Sequence, residues 1–418
     1  MDRLIQSITL AFCVGIGLSL TQCSPVEKNS KTATEILGNS DYQAISYGGY
    51  REKNRSIQPT LKQIKADIKI MHAVGVRVLR TYNLQFDFAP NVLKAITELK
   101  ADDPNFEMYV MLGTWIDCEN AWTDSPNHDK EDLENNTSEI DLAVKLANNY
   151  PDIVKVIAVG NESMVHWAAS YFVQPRVVLK WVNHLQALKK AKKLSSDLWI
   201  TSSDNFASWG GGDASYHNDD LNALIKAVDF LSVHTYPFHD THYNSSFWEI
   251  DQKEAQKGKV DLIEAAMERA HQYAINQYKS VASYVESLGI EKPIHIGETG
   301  WATNDSWLYG KEGTAAADEF KQALYYQKTI QWTNENGISC FFFEAFDEQW
   351  KDASNPVGSE NHFGLITIEG RVKYALWDEL DKGVFDGLGR NGLPVKKTFD
   401  GNKKLLLDEV VLPKIKQK

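Results

Sequence analysis

The chain has 418 residues with 44 Lys and Arg against 56 Asp and Glu, a formal charge of −12, and it is 43 % apolar, 24 % charged and 11 % aromatic. Those fractions exclude wholesale disorder, collagen-like repeats and a coiled coil. The negative balance, with no clustered Lys/Arg stripe, excludes nucleic acid and anionic polysaccharide as partners, because binding phosphates needs a basic surface.

In chain order, Leu4 to Leu20 form an apolar run of signal-peptide length, too short for a comfortable membrane span. It leads into Leu20-Thr21-Gln22-Cys23, which resembles a bacterial lipobox, although Gln22 stands where a small residue is usual. We therefore expect residues 1–23 to be a signal peptide with lipidation at Cys23, plain secretion with cleavage near Ser24 being the alternative. Residues 24–40 are polar and aperiodic and read as a tether, leaving 41–418 as one domain. Once Cys13 leaves with the signal, Cys118 and Cys340 are two lone thiols, not a disulfide framework.

Beyond the tether, short apolar and β-branched runs alternate with helical patterns. Strands are predicted over Gln43–Tyr50, Val76–Asn83, Glu107–Trp115, Val154–Glu162, Leu198–Asn205, Val228–Pro237, Lys292–Trp301 and Ile338–Glu348. Helices are predicted from Pro59 to Val74 and over Ser138–Asn148, Gln174–Lys193, Val260–Leu288 and Thr314–Asn336. Eight strands with helical segments between them point to an α/β fold, a (β/α)8 TIM barrel with a single catalytic domain. A doubly wound sheet is the rival, but Tyr47-Gly48-Gly49-Tyr50 stands where a phosphate-binding glycine fingerprint would follow the first strand. The tail from Gly387 onward carries no repeat, and its placement is open.

Each strand turns polar at its C-terminal end, the end at which barrel enzymes build their sites. The fourth and seventh end in Val159-Gly160-Asn161-Glu162 and Gly297-Glu298-Thr299-Gly300-Trp301, so two distant carboxylates can face one pocket. Facing carboxylates are the minimum equipment for glycoside hydrolysis: retaining if about 5 to 5.5 Å apart, inverting at about 6.5 to 9.5 Å.

Asn161-Glu162, Glu298-Thr299-Gly300-Trp301 and Phe343-Glu344-Ala345-Phe346-Asp347-Glu348 followed by Trp350-Lys351 resemble glycoside hydrolase family 17, as do Arg80-Thr81-Tyr82 and His234-Thr235-Tyr236-Pro237. The likeness spans about Tyr47 to Trp377; Ala302 and Gln349 depart from it where prolines are usual. The resemblance implies a retaining β-1,3-glucanase with Glu162 as general acid/base and Glu298 as nucleophile. On the same reading Asn161 bonds the sugar's 2-hydroxyl and Tyr236 holds Glu298 in its attacking rotamer. Tyr47, Arg80, Tyr82, Trp115, His234, Trp301, Glu344 and Trp350 complete the expected substrate-binding set, with Trp301 as the sugar platform. Asp347 and Glu348 are expected to cap a loop or pair with Lys351, and Trp167, Trp209 and Trp248 either line outer subsites or pack.

His234, His239 and His242 match no zinc spacing, so no metal is expected. No cofactor is needed either, because proton transfer and a carboxylate nucleophile suffice for acetal exchange. The expected partner is a neutral β-glucan such as laminarin, met by a monomer tethered to the bacterial outer membrane only through its lipid, facing the periplasm or the cell surface. A glucanosyltransferase with the same residues, a non-catalytic glucan-binding lipoprotein and a cellulase or mannanase of the same clan are the competing readings.

Overall fold

The computed structural model describes residues 31–416; the apolar leader and Cys23 lie outside the described residues. Eight parallel strands close into a barrel. They are β1 (Gln43–Ser46), β2 (Val76–Arg80), β3 (Tyr109–Thr114), β4 (Val154–Asn161), β5 (Trp199–Asn205), β6 (Leu231–His234), β7 (Ile294–Gly300) and β8 (Cys340–Phe343). Each neighbours its sequence successor and β8 pairs with β1, so all eight expected strands form, trimmed at their polar ends.

Helices α1 (Leu61–Ala73), α2 (Phe88–Asp102), α3 (Leu133–Asn149), α4 (Pro175–Lys190), α5 (Asp219–Ala227), α6 (Lys259–Ser287) and α7 (Glu319–Glu335) alternate with the strands. Their starts are chemically marked. Thr60 and Gln63 form a reciprocal capping box on α1, and Asn218 and Asp318 cap α5 and α7 through the Leu221 and Lys321 amides. Two helices exceed the sequence reading. Pro90 suggests a break, yet it lies in the first turn of α2, where its missing N–H is not needed. The nine residues of α5 follow a Gly-rich stretch and bury Leu221, Leu224 and Ile225 at i, i+3 and i+4.

Residues 33–36, read as tether, form a helix capped by Thr32 and Glu35, and its Ile36 and Leu37 are buried with Val78, Met111, Val156 and Phe341 in a cluster of side chains from the barrel strands. The folded unit thus takes in chain N-terminal to residue 41. The tail packs on the outside of the barrel: Arg390, fully buried, donates to Asp67 of α1 at 3.0 Å, and the Val411 carbonyl accepts from Lys321 of α7 at 2.8 Å. Among the described residues no helix is long and apolar enough to cross a membrane.

Candidate active site

The strand-end polarity seen in the sequence converges at the C-terminal mouth of the barrel. A register shift between Ala158 and Asn161, where β4 pairs with β5, swings the end of β4, and Gly160 sits at φ +80° with no room for a side chain against Ser163. Glu162 follows in the left-handed region at φ +47°, its amide donating to the Ser203 carbonyl at 3.0 Å. A strained, over-determined backbone of this kind re-aims a side chain. Glu162 is thereby held beside His234 of β6, whose Nδ1 lies 3.0 Å from its Oε1. In β7, Gly297 lets the strand pass close to the hydroxyls of Ser203 and Ser232, and His234 and Glu298 are register partners across β6 and β7.

Glu298 accepts three charged or phenolic donors. Arg80 Nη1 lies 2.5 Å and the Tyr82 hydroxyl 2.9 Å from Oε2, and the Tyr236 hydroxyl lies 2.6 Å from Oε1. Burial alone would raise its pKa, but the positive surroundings and these donors prevail and hold it at about 2. His234 is itself kept neutral, its pKa pushed down to about 4 chiefly by burial, so Arg80 is the cation that matters for Glu298. Glu162 goes the other way: burial first, and then the charge of Glu298, raise it to about 8 against the pull of Arg80. One carboxylate is ionised and its neighbour protonated at neutral pH, the division that acid/base assignments rest on. A neutral His234 that gives its Nε2 proton to Ser203, 2.8 Å away, accepts at Nδ1 from the protonated Glu162.

Arg80 also donates from Nη2 to Asn161 Oδ1 at 2.5 Å. That contact turns the Asn161 amide nitrogen toward the cleft it lines. The cleft, about 570 Å³, is bordered by Tyr82, Trp115, Asn161, Glu298 and Trp350, all named from the sequence, and by Tyr47, whose hydroxyl donates to Asp67 at 3.1 Å.

Four expected contacts fall elsewhere. Trp301 is fully buried, donating its Nε1–H to the Ala316 carbonyl at 2.8 Å and packing on Trp248 and Tyr325. Strand alternation explains the correction: with Glu298 and Gly300 turned to the barrel interior, Trp301 faces the helices. His234 and Arg80 are also buried and act through Glu162, Glu298 and Asn161. Glu344 is buried on the Lys351 ammonium at 2.6 Å and does not border the cleft; Glu348 and Lys351 do. Glu348 accepts from the Tyr50 amide at 2.8 Å and lies 3.3 Å from Lys351, whereas Asp347 pairs with Lys373 at 2.7 Å. Tyr50, Arg55, Trp122 and Tyr171 also line the walls. Trp209 and Trp248 are core, and Cys118 and Cys340 are buried free thiols. His239 meets Tyr309 at 3.2 Å, and its ring lies 5.3 Å from that of Tyr236.

Comparison with known proteins points to glucan-cleaving glycoside hydrolases. A crystal structure of an endo-laminarinase from Formosa Hel1_33_131 is 62 % identical, with a TM-score of 0.92, covering 93 % of this chain and 99 % of that one. A glucan 1,3-beta-glucosidase of Arthroderma benhamiae is 26 % identical over 272 residues, 63 % of this chain and 70 % of that protein. Another of the same name from Schizosaccharomyces pombe is 25 % identical over 311 residues, 74 % of this chain and 79 % of its own. Residues 44–364 match the model of the BtgE/BtgC glycoside hydrolase domain, and the chain belongs to that family of glycoside hydrolases.

Proposed function

We propose that this protein is a retaining β-1,3-glucanase of glycoside hydrolase family 17 that cuts laminarin-type glucan internally. The observation that carries the reading is the pairing of an ionised Glu298, held by three donors, with a protonated Glu162 at the mouth of one barrel. The 62 % identity to an endo-laminarinase supports the substrate and the internal mode of attack.

In the first step Glu298 attacks the anomeric carbon as the C1–O bond breaks, and Glu162 gives its proton to the departing oxygen. The resulting ester is opened by a water that yields its proton to Glu162, restoring both carboxyls. The free amide nitrogen of Asn161 is placed for the 2-hydroxyl, a bond that strengthens as oxocarbenium character grows. Tyr236 and Tyr82 fix Glu298 on both oxygens, leaving one rotamer for attack. The test is reducing-sugar release from laminarin with the products sized: a ladder of oligosaccharides is expected, and release of glucose alone, or products longer than the substrate, overturns internal hydrolysis.

We also propose that Cys23 is lipidated and attaches the enzyme, as a monomer, to the outer membrane. Incorporation of a labelled fatty acid, lost in Cys23→Ser, is the expected result; label retained in that variant, or none in the wild type, overturns it.

A further inference from the structure

One end of the cleft carries an aromatic group that the hydrolytic steps leave unused. Trp115 and Asp117 follow β3, Trp122 stands in the hairpin formed by Cys118–Glu119 and Asn127–Glu131, and Tyr171 lies in the loop after β4. The two loops are stitched together by their backbones, the Trp122 amide donating to the Ser170 carbonyl at 2.8 Å and the Cys118 amide to the Tyr171 carbonyl at 3.2 Å. As a result the Trp122 and Tyr171 rings stack at 4.8 Å and 20°, with Trp115 against Tyr171 at 5.2 Å.

A single buried carboxylate fixes both indoles. Asp117 Oδ1 accepts from Trp115 Nε1 at 2.6 Å, and Oδ2 from Trp122 Nε1 at 3.2 Å. Asp117 is itself anchored to α3, its amide donating to Asn136 Oδ1 at 2.9 Å and its carbonyl accepting from Asn136 Nδ2 at 3.0 Å. Trp122 nevertheless remains 61 % exposed, in the left-handed region at φ +65°. A bulky residue adopts that conformation only where its surroundings impose it. A large indole whose polar edge is tied down while its body stays wet contributes little to a core. It matches a surface that offers flat apolar area to a ligand, immobilised in advance so that binding does not have to order it.

We propose that Asp117 is a positioning residue that locks Trp115, Trp122 and Tyr171 into a platform for a glucosyl unit at the β3–β4 end of the cleft. The inference rests on the β-glucan reading above. The platform borders the same cavity as Glu298 and Asn161, so a chain bound over those two residues continues onto it. The opposite end, over β8 and β1, carries Tyr50 and Trp350, with the Arg55 guanidinium 4.5 Å above the latter ring. Aromatic seats at both ends suit a polymer lying through the site.

The experiment measures kcat and KM on laminarihexaose for the wild type, Trp122→Ala, Trp122→Phe, Asp117→Ala and the Trp122→Ala/Asp117→Ala pair. It adds tryptophan-fluorescence titration of laminarihexaose into Glu298→Gln with and without Trp122→Ala. Trp122→Ala and Asp117→Ala are expected to raise KM roughly tenfold with kcat within about twofold, the signature of lost binding away from the reacting atoms. Trp122→Phe restores most of the loss, and Asp117→Ala adds less on the Trp122→Ala background than on the wild type, because it acts through the indoles. An unchanged KM in Trp122→Ala, which alters only an exposed side chain, overturns the platform while the wild type still cuts laminarin. A fall in kcat without a rise in KM, unrescued by Phe, overturns it too. Should the wild type release no sugar from laminarin, the proposed function fails; roughly tenfold weaker binding in the titration then still supports the platform, and equal binding overturns it.

Discussion

Arg80 holds Glu298 with one guanidinium nitrogen and Asn161 with the other, each at 2.5 Å, so the carboxylate on β7 and the amide beside Glu162 on β4 are set by one rigid fork. A lysine carries the charge but not the fork. Arg80→Lys is expected to lose about 10²-fold or more in kcat/KM on laminarin, as the 2-hydroxyl contact and the attacking rotamer loosen together. Arg80→Ala leaves a buried carboxylate without its cation and should lose roughly 3 to 5 kcal/mol of stability. Steady-state kinetics and thermal melts of both variants check the pair; a Lys variant with wild-type kcat/KM would sink the argument.

On the proposed mechanism Glu298→Gln removes the nucleophile and should abolish turnover on every substrate. Glu162→Gln removes only the proton donor, so it is expected to lose about 10² to 10⁴-fold on laminarin but far less on aryl glycosides whose leaving groups depart unprotonated. Comparing the two substrates for each variant is decisive, because an equal loss on both in Glu162→Gln would mean that this residue is not the acid.

The two opposed pKa shifts fix the pH profile. Glu162 must carry its proton, so kcat/KM falls as pH rises through about 8; Glu298 must be ionised, so it falls again only as pH drops toward about 2. With an activated aryl glycoside, Glu162→Gln should therefore lose the alkaline limb and keep the acidic one. An alkaline limb surviving in that variant would assign the ionisation to another group.

The strands that carry Glu162 and Glu298 were legible because an apolar run closing on a carboxylate is a local pattern, as in the stretches ending at those two residues. Trp301 was legible too, had the period of two been carried three residues past Glu298. What local pattern does not encode is the meeting of loops. Trp122 reaches Tyr171 only because hairpin and loop backbones bond, and Lys351 reaches Glu344 only after the chain turns beyond β8, whereas its expected i,i+3 pairing with Glu348 is local. Helix α2 was not among the expected helices; it carries Pro90 in its first turn, where the missing N–H is tolerated.

Since Trp301 is core, its substitution should register in stability before binding. Trp301→Ala is expected to lose about 3 to 5 kcal/mol, the range for emptying a large aromatic site. Trp301→Phe keeps an aromatic ring but forfeits the bond to Ala316 and the volume of the second ring, so its KM on laminarin should match the wild type with a lower Tm. A many-fold rise in KM at an unchanged Tm would return Trp301 to the substrate.

Glu139 of α3 ties two site loops together, accepting from the Leu84 amide at 2.9 Å and the Trp115 amide at 2.8 Å, and burial raises its pKa from 4.5 to about 7 despite both bonds. Between those values the folded protein keeps a proton that the unfolded chain has released, so this residue makes stability fall as pH rises from about 4.5 to about 7, by roughly 3 kcal/mol in all. Glu139→Gln removes that slope while one amide oxygen remains to accept. Its stability relative to the wild type should therefore improve steadily across this window, and denaturant melts at closely spaced pH values would read the difference. Parallel pH dependences in the two proteins would show that Glu139 titrates alike folded and unfolded, and that the loops over β2 and β3 are not held by a carboxylate that resists ionisation.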